Sequence, residues 1–365
     1  MNTPIATVII PAYNHENYIE QCLESVISQT YENIELVVIN DGSTDNTGKI
    51  ISAWCDRLFD RFPRFVFINK PNEGVCKTLN TGLDLSVGEY VAVCASDDIM
   101  LPTRIEKQVQ YLQARSDYAM VFTDGYEVEN KGQININEPF DGCDRFSMKF
   151  DINQKEYSFE WMVKNIFFMP SPTACIARWC YEEIGGYDER ITFEDSDMFL
   201  RVADRFKFGF VKEPLFVHRM HGKNAGRNFS EVLEPGIYAM IDKYEKEKVF
   251  SSQKDTRKLL DMLSRIVGTI PSSIIEKITD KKVIGWGTGS FFERAMKKRD
   301  IPLAFLVDSN PDKSGRQMNG LEIFSPDVLL DEDKDLVFII IFSQFRYEIE
   351  SCLKDYGFVF GENYM

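Results

Sequence analysis

The amino-acid sequence predicts an α/β protein of two domains joined by a helical connector. At 365 residues the chain exceeds one ordinary hydrophobic core and is long enough for two. Up to about Gly125, short β-rich runs alternate with amphipathic stretches, the pattern of βαβ units on a mostly parallel sheet. From Lys281 the alternation restarts around a glycine-rich turn. Domains are therefore expected at 1–227 and 281–365, with the connector at 228–280.

"TVIIPAY" reads as the first strand, and "HENYIEQCLESVISQ" has helical spacing. "IELVVIND", "FVFIN" and "GEYVAVCASDD" follow as strands, separated by the helices "TGKIISAWCDRLFD" and "GVCKTLNTGLDLS". From Glu127 to Pro170 the alternation weakens into polar loops with one helix near "SFEWMVKNIFF", an irregular insert of the kind that shapes a substrate face. "PTACIARWCYEEIGGYDER" predicts a strand and a short helix, "FEDSDMFLRVADRF" a longer helix, and "FGFVKEPLFVHRMH" the strand that closes the domain near Arg227. Residues 228–280 are rich in Glu, Lys, Leu and Met at helical spacing, punctuated by Pro235 and Pro271. "KKVIGWGTGS" then opens a strand, a glycine-rich turn and a helix, and "DLVFIIIFS" supplies a later buried strand.

Composition excludes several classes. With 44% hydrophobic and 27% charged residues the chain has the make-up of a folded globular protein. A net charge of −15 offers no basic footprint for phosphate backbones, so nucleic acid is not an expected partner. No apolar run approaches bilayer length and the opening residues lack a secretory pattern, so the expected address is cytoplasmic. Contact with the inner face of the membrane stays open, as does homo-oligomer formation. The eight cysteines are scattered without a CxxC pair and read as reduced thiols.

In open α/β sheets the ligand crevice lies beyond the carboxyl ends of the strands. Asp41 ends the second strand, Asp97 and Asp98 end "YVAVCASDD", and Pro11 to Tyr13 end the first strand. A carboxylate there can accept from a ribose hydroxyl or a base N–H, and an adjacent pair attracts a hard cation such as Mg²⁺ or Mn²⁺. Taken singly, "DGSTD" and "SDD" read equally well as turns or caps, and the acidic start of "FEDSDMFL" as a favourable partner of the helix dipole. Their joint placement at successive strand ends favours function.

"VIIPAYNHENYIEQCLESVISQTYENIELVVINDGSTDNT", "NEGVCKTLNTGL", "GEYVAVCASDD" and "FEDSDMFLR" resemble, in order and spacing, the family 2 glycosyltransferases of GT-A fold, over roughly residues 5–225. The resemblance implies a GT-A nucleotide-diphospho-sugar transferase domain acting on a nucleotide-sugar donor, with a glycan or lipid-linked glycan as acceptor. It implies that Pro11, Ala12, Tyr13, Asn14 and Asp41 line the nucleotide pocket, with Asn72, Gly74 and Lys77 in the donor loop. Asp97 and Asp98 look like the carboxylates of the DxD-type motif, with Asp97 and Asp98 on Mn²⁺ or Mg²⁺ and Asp97 also on the donor. His221 looks like the late histidine near the metal, with His218 as the other candidate. Asp195 matches the family's catalytic base, and Glu194 is expected to orient the acceptor or the base.

The chain departs from the pattern twice. Ala95 stands where many members carry an aspartate, and Thr78, Leu79 and Asn80 stand where many have Ala-Arg-Asn, so an arginine contact to the donor is missing. One base without a positioned nucleophile implies single displacement with inversion at the anomeric carbon, whereas hydrolytic glycosidases use two carboxylates. UDP is the expected nucleotide, and a bacterial surface glycan the expected product.

"VIGWGTGS", with Asp308 ending the next strand, resembles a dinucleotide-binding fingerprint whose third glycine is replaced by Ser290. It implies a small Rossmann-like domain of structural, oligomerisation or nucleotide-binding role. Two competing functions are a sugar nucleotidyltransferase, which needs a glycine-rich basic loop where this chain has "PAYNHEN", and a nucleotide-sugar-binding protein without catalysis. A nicotinamide oxidoreductase built on the C-terminal glycines has no evident substrate domain.

Overall fold

The computed structural model describes residues 3–129, 132–138, 140–222, 233–267, 278–298, 301–343, 345–360 and 362–364. The chain divides into two compact units, Met1–Met240 with Val249–Asp255, and Ile241–Lys248 with Thr256–Met365. The expected boundary at Arg227 lies outside the described residues, as do 228–232 and 268–277 of the expected connector. Helices Glu234–Lys246 and Gln253–Val267 occupy the described part of that stretch. No helix among the described residues is long and apolar enough to cross a membrane.

The first unit opens with β1 (Ala6–Ala12), α1 (Ile19–Ile27), β2 (Ile34–Asp41), α2 (Thr47–Arg61), β3 (Arg64–Lys70), α3 (Val75–Leu85) and β4 (Tyr90–Val93). β2 is buried along its whole length because it runs between β1 and β3, parallel to both. α1 buries Ile19, Cys22, Leu23 and Val26, the spacing of one apolar helix face. β4 adds parallel to the other side of β1. These strands therefore share one carboxyl edge, where Ala12, Asp41 and the chain after Val93 emerge.

β4 ends at Val93, five residues short of the strand end expected from sequence. Asp98 N–H donates to the Ala95 carbonyl at 3.1 Å, closing a turn that delivers the chain to β5 (Ile99–Met100). After α4 (Arg104–Gln113), β6 (Tyr118–Glu129) runs parallel to β9 (Lys207–Met220), so it extends past Gly125 where local pattern suggested irregularity. β7 (Asp144–Arg145), α5 (Phe159–Asn165), β8 (Cys175–Ala177), α6 (Arg178–Ile184) and α7 (Glu194–Arg205) fill the interval. The sheet order is β3-β2-β1-β4-β8-β6-β9-β5, with β7 on β6. β8 is antiparallel to both β4 and β6, and β5 is antiparallel to β9.

The second unit carries a five-stranded sheet. β10 (Lys282–Trp286) lies between β11 (Leu303–Val307) and β14 (Val337–Ile341), parallel to both, and β13 (Leu321–Phe324) and β12 (Gln317–Met318) follow on the β11 side. Alternate residues of β10 feed opposite faces: Val283 packs with Phe292 and Phe338, and Ile284 and Trp286 with Val307, Leu353 and Tyr364. Both faces are covered, as a doubly wound sheet requires.

Candidate functional site

The loops after β1 and β2 are stitched together by side chains that the sequence places in pairs. Asn14 adopts a left-handed backbone (φ 54°), and its side-chain oxygen accepts from the Thr44 N–H at 2.8 Å. The Ser43 hydroxyl accepts from Asn14 N–H, Asp45 accepts from Glu16 N–H, and the Thr47 hydroxyl accepts from His15 N–H at 2.9 Å. Asn and Asp satisfy turn backbone in this way. Pro11, Ala12, Tyr13 and Asn14 thus stand beside the Asp41 loop, with Tyr13 45% exposed.

Asp41 is buried, and its two oxygens accept from the N–H groups of Glu73 and Gly74, each at 3.0 Å. Lys70 Nζ lies 2.6 Å from the same carboxylate. Burial works against the charge, but Lys70 and the Glu73 amide outweigh it and hold the Asp41 carboxyl below its ordinary range. Asp41 therefore shapes the Asn72–Gly74 loop, a task the sequence did not assign to it. Gly42 sits at φ 67°, and a Cβ there would meet Asn72 N at 2.4 Å, so only glycine lets the two loops touch. Lys77 projects from the first turn of α3 and is half-exposed, 3.8 Å from Glu73.

The turn after β4 gathers all three histidines of the chain. His221 Nε2 lies 2.9 Å from Asp97 Oδ2, and His15 Nε2 lies 3.7 Å from the same oxygen. His218 Nδ1 is 3.2 Å from both oxygens of Asp98. Arg219, fully buried, donates its backbone N–H to Asp98 Oδ1 at 2.8 Å and its Nε to the Asp97 carbonyl at 2.8 Å. Tyr18 stacks on His221 with centroids 4.8 Å apart, and the Arg219 guanidinium lies 4.9 Å from the Tyr18 ring centre.

These partners split the two aspartates. Burial opposes charge on Asp97, yet the His221 hydrogen bond and the fields of His15 and His218 lower its pKa. Burial raises Asp98, with His218 opposing. Burial also works against charge on His218, but Asp98 outweighs it and raises the imidazole to about 9. Among the described residues, the group whose donor atoms converge as metal ligands is His15, Asp97 and His221, all within 4.8 Å of one another. Asp98, expected as a metal ligand, stands apart from that group because Arg219 and His218 occupy its oxygens. A mixed set of one carboxylate and two imidazoles fits a divalent cation.

Glu194 and Asp195 open α7. Asp195 Oδ1 accepts from the Ser196 N–H at 2.6 Å. Burial and the neighbouring Asp195 push Glu194 up to about 8, and burial raises Asp195 although the Ser171 and Ser196 hydroxyls counter it. The segment leading to them is tied to α3: Asn80 exchanges hydrogen bonds with both backbone groups of Tyr187 at 2.8 and 2.9 Å, and Cys76 Sγ donates to the Ile191 carbonyl. The acidic pair therefore stands by the helix that begins at the Asp41-held loop. Asp197, buried, pairs with Arg201 at 2.8 Å, and Arg201 in turn holds the carbonyls of Ile184 and Gly186.

Residues 7–176 match the glycosyl transferase family 2 profile. The chain carries a family 2 glycosyl transferase domain. The glycosyltransferase is 25% identical over 291 residues to an uncharacterized glycosyltransferase of Rickettsia prowazekii, covering 78% of this chain and 87% of that one. It is 28% identical over 222 residues to the chondroitin synthase of Pasteurella multocida, covering 60% of this chain and 21% of the synthase. In fold it is similar to Staphylococcus aureus TarS 1–349 in complex with UDP-GlcNAc, with a TM-score of 0.54, 18% identity and 71% of each chain covered. It is also similar to the mannosyltransferase PcManGT of Pyrobaculum calidifontis, solved with GDP-Man and Mn²⁺, with a TM-score of 0.50 and 17% identity over 75% of this chain and 79% of that one. The fold is GT-A.

Sequence reading of the glycosyltransferase missed His15 and Arg219. A histidine two residues past a strand has no local signature, but the presence of only three histidines in the chain was a usable sign. Arg219 is flanked by two histidines in "HRMH", and nothing local says that its backbone amide will reach Asp98.

Proposed function

We propose that the chain transfers a sugar from a nucleoside diphosphate donor, a UDP-sugar, to a hydroxyl of a growing bacterial surface glycan, with inversion and with help from a divalent cation. The observation that carries this reading is the Glu194–Asp195 pair at the start of α7, whose leading segment is tied through Tyr187 and Ile191 to Asn80 and Cys76 of α3, the helix that follows the loop Asp41 holds. Tyr13 would stack on the base, the Asn72–Gly74 loop and Lys77 would face the donor, and Asp97 with His221 would hold the cation. A bound Mn²⁺ or Mg²⁺ would offset charge on the departing diphosphate.

Asp195 would take the acceptor proton as the hydroxyl attacks the anomeric carbon, and its raised pKa brings it nearer the proton it must accept. Glu194, protonated at neutral pH, would donate a hydrogen bond to the acceptor or to Asp195. With one base and no positioned nucleophile, displacement inverts the anomeric centre. The TarS neighbour was solved with UDP-GlcNAc and PcManGT with GDP-Man, and the likeness to TarS, at a TM-score of 0.54 against 0.50, supports a UDP-sugar. The likeness to chondroitin and hyaluronan synthases of Pasteurella multocida supports a polysaccharide acceptor.

Calorimetric titration of UDP and of GDP, with and without Mn²⁺, into the wild type and Asp97→Ala tests the donor site. UDP binding that needs metal and fails in the variant supports the reading and justifies screening UDP-sugars, with the product anomer read by NMR. Binding indifferent to metal and to Asp97 would sink it. A nucleotidyltransferase would instead consume UTP and a sugar phosphate, and a binding protein would hold the donor intact.

A further inference from the structure

We propose that His15 is a direct metal ligand, giving this protein a preassembled site of two histidines and one carboxylate, His15–Asp97–His221, that selects Mn²⁺ over Mg²⁺ and binds it without nucleotide. The proposal rests on the reading that a divalent cation acts beside Asp97, and it goes beyond that reading in the ligand set and the choice of ion.

His15 is held for this task from both ends. Its backbone N–H is fixed by the Thr47 hydroxyl, and its ring Nδ1 lies 2.7 Å from the hydroxyl of Ser96, which is itself buried. In the tautomer that donates Nδ1–H to Ser96, Nε2 carries its lone pair toward Asp97 Oδ2, 3.7 Å away. A hydrogen bond on the far ring nitrogen is how proteins orient a ligating imidazole. The ring stands edge-on to His221 with centroids 5.9 Å apart, and Tyr18 braces both rings, stacked on one and edge-on to the other.

The spacing fits. Two atoms bound to one ion at about 2.0–2.2 Å can be no more than about 4.4 Å apart, and the three donor atoms already lie within 4.8 Å of one another. A small closure of the side chains suffices. The position also matters: Ala95 leaves the turn without the extra carboxylate that the DxD-type pattern would supply, and Arg219 and His218 hold Asp98. The imidazole of His15 reaches Asp97 from the β1 loop.

Ligand chemistry then sets the metal. Mg²⁺ demands oxygen ligands and retains its water, whereas first-row transition ions, of which Mn²⁺ is the weakest binder, accept nitrogen ligands, so two imidazoles favour Mn²⁺ over Mg²⁺. A site with three protein ligands in place also binds metal before the diphosphate arrives.

The test uses the full chain and Mn²⁺ alone. Electron spin-echo spectroscopy of bound Mn²⁺ should show coupling to ¹⁴N from two imidazoles, and about a hundredfold excess of Mg²⁺ should leave the ion bound. His15→Gln, which can still reach Ser96, should lose one nitrogen coupling and weaken Mn²⁺ roughly tenfold or more. The melting temperature of the metal-free variant should match wild type, which separates ligand loss from misfolding. Unchanged nitrogen coupling and affinity in His15→Gln, displacement by Mg²⁺, or no binding of Mn²⁺ without nucleotide would each overturn the proposal. UDP titration distinguishes the two readings: if His15 proves irrelevant while UDP still binds through Asp97, the transferase reading stands and only this ligand assignment falls.

Discussion

Burial raises both Asp195 and Glu194, neighbours at the start of α7. Burial and the neighbouring Asp195 together raise Glu194 to about 8. Asp195→Asn should therefore lower transfer by about 10²- to 10⁴-fold, the usual worth of a general base. The same change removes the like charge, so a ¹³C-carboxyl titration should find Glu194 near 8 in wild type and lower in the variant. An unmoved Glu194 titration would show that burial alone sets it. His218 supplies a second pH signature. Its folded pKa is raised from 6.5 to about 9, so its pairing with Asp98 stabilises the fold fully below pH 6.5 and is lost as pH rises through 9. The melting-temperature gap between wild type and His218→Gln should shrink over that window; a constant gap would mean that packing, not charge, is what His218 contributes.

The strand-end loops were legible in the sequence because turn chemistry is local. Asn14, Asp41, Gly42, Ser43 and Asp45 are residue types that close turns, and the strands before them are short apolar runs. Less legible was what each loop does for its neighbour. Asp41 was read as a nucleotide contact, and the fold also sets it to holding the Asn72–Gly74 loop, since both its oxygens accept backbone N–H groups across 32 and 33 residues of sequence. Gly42→Ala tests that coupling. A side chain at φ 67° pressed on Asn72 N costs about 1–3 kcal/mol, so the variant should melt lower and bind UDP more weakly, with Asp195 chemistry intact. Loss of stability with unchanged UDP affinity would separate the loop from the donor site. β6 and β9 show the other limit: their pairing spans Tyr118–Lys207 to Glu129–Met220, and no local pattern announces a partner so far away.

At the scale of the whole chain, the two units share α/β architecture but present different chemistry at their strand ends. In the second unit Asp308, placed where a dinucleotide's ribose acceptor is expected, is already engaged. Its Oδ2 accepts from the Thr288 N–H and hydroxyl and from Lys313, and its Oδ1 from Asn310 N–H. We expect no enhancement of NADH fluorescence on mixing with this protein; a saturable enhancement would show that Lys313 yields and would revive a dinucleotide role. The net charge of −15 gives the surface no general attraction for anions.

The sequence by itself determined the α/β class, the glycosyltransferase family and the order of its acidic motifs, because apolar periodicity and turn residues act over a few positions. It could also name Asp97 and His221 together, through the resemblance, without saying what else meets them. Only the tertiary structure decided that His15 joins that pair, that Arg219 and His218 hold Asp98 apart from it, and that Asn80 on α3 holds the Tyr187 backbone ahead of the acidic helix start. Those contacts join residues from 81 to more than 100 positions apart, and they depend on sheet order and crossing strands, which no short window of sequence contains.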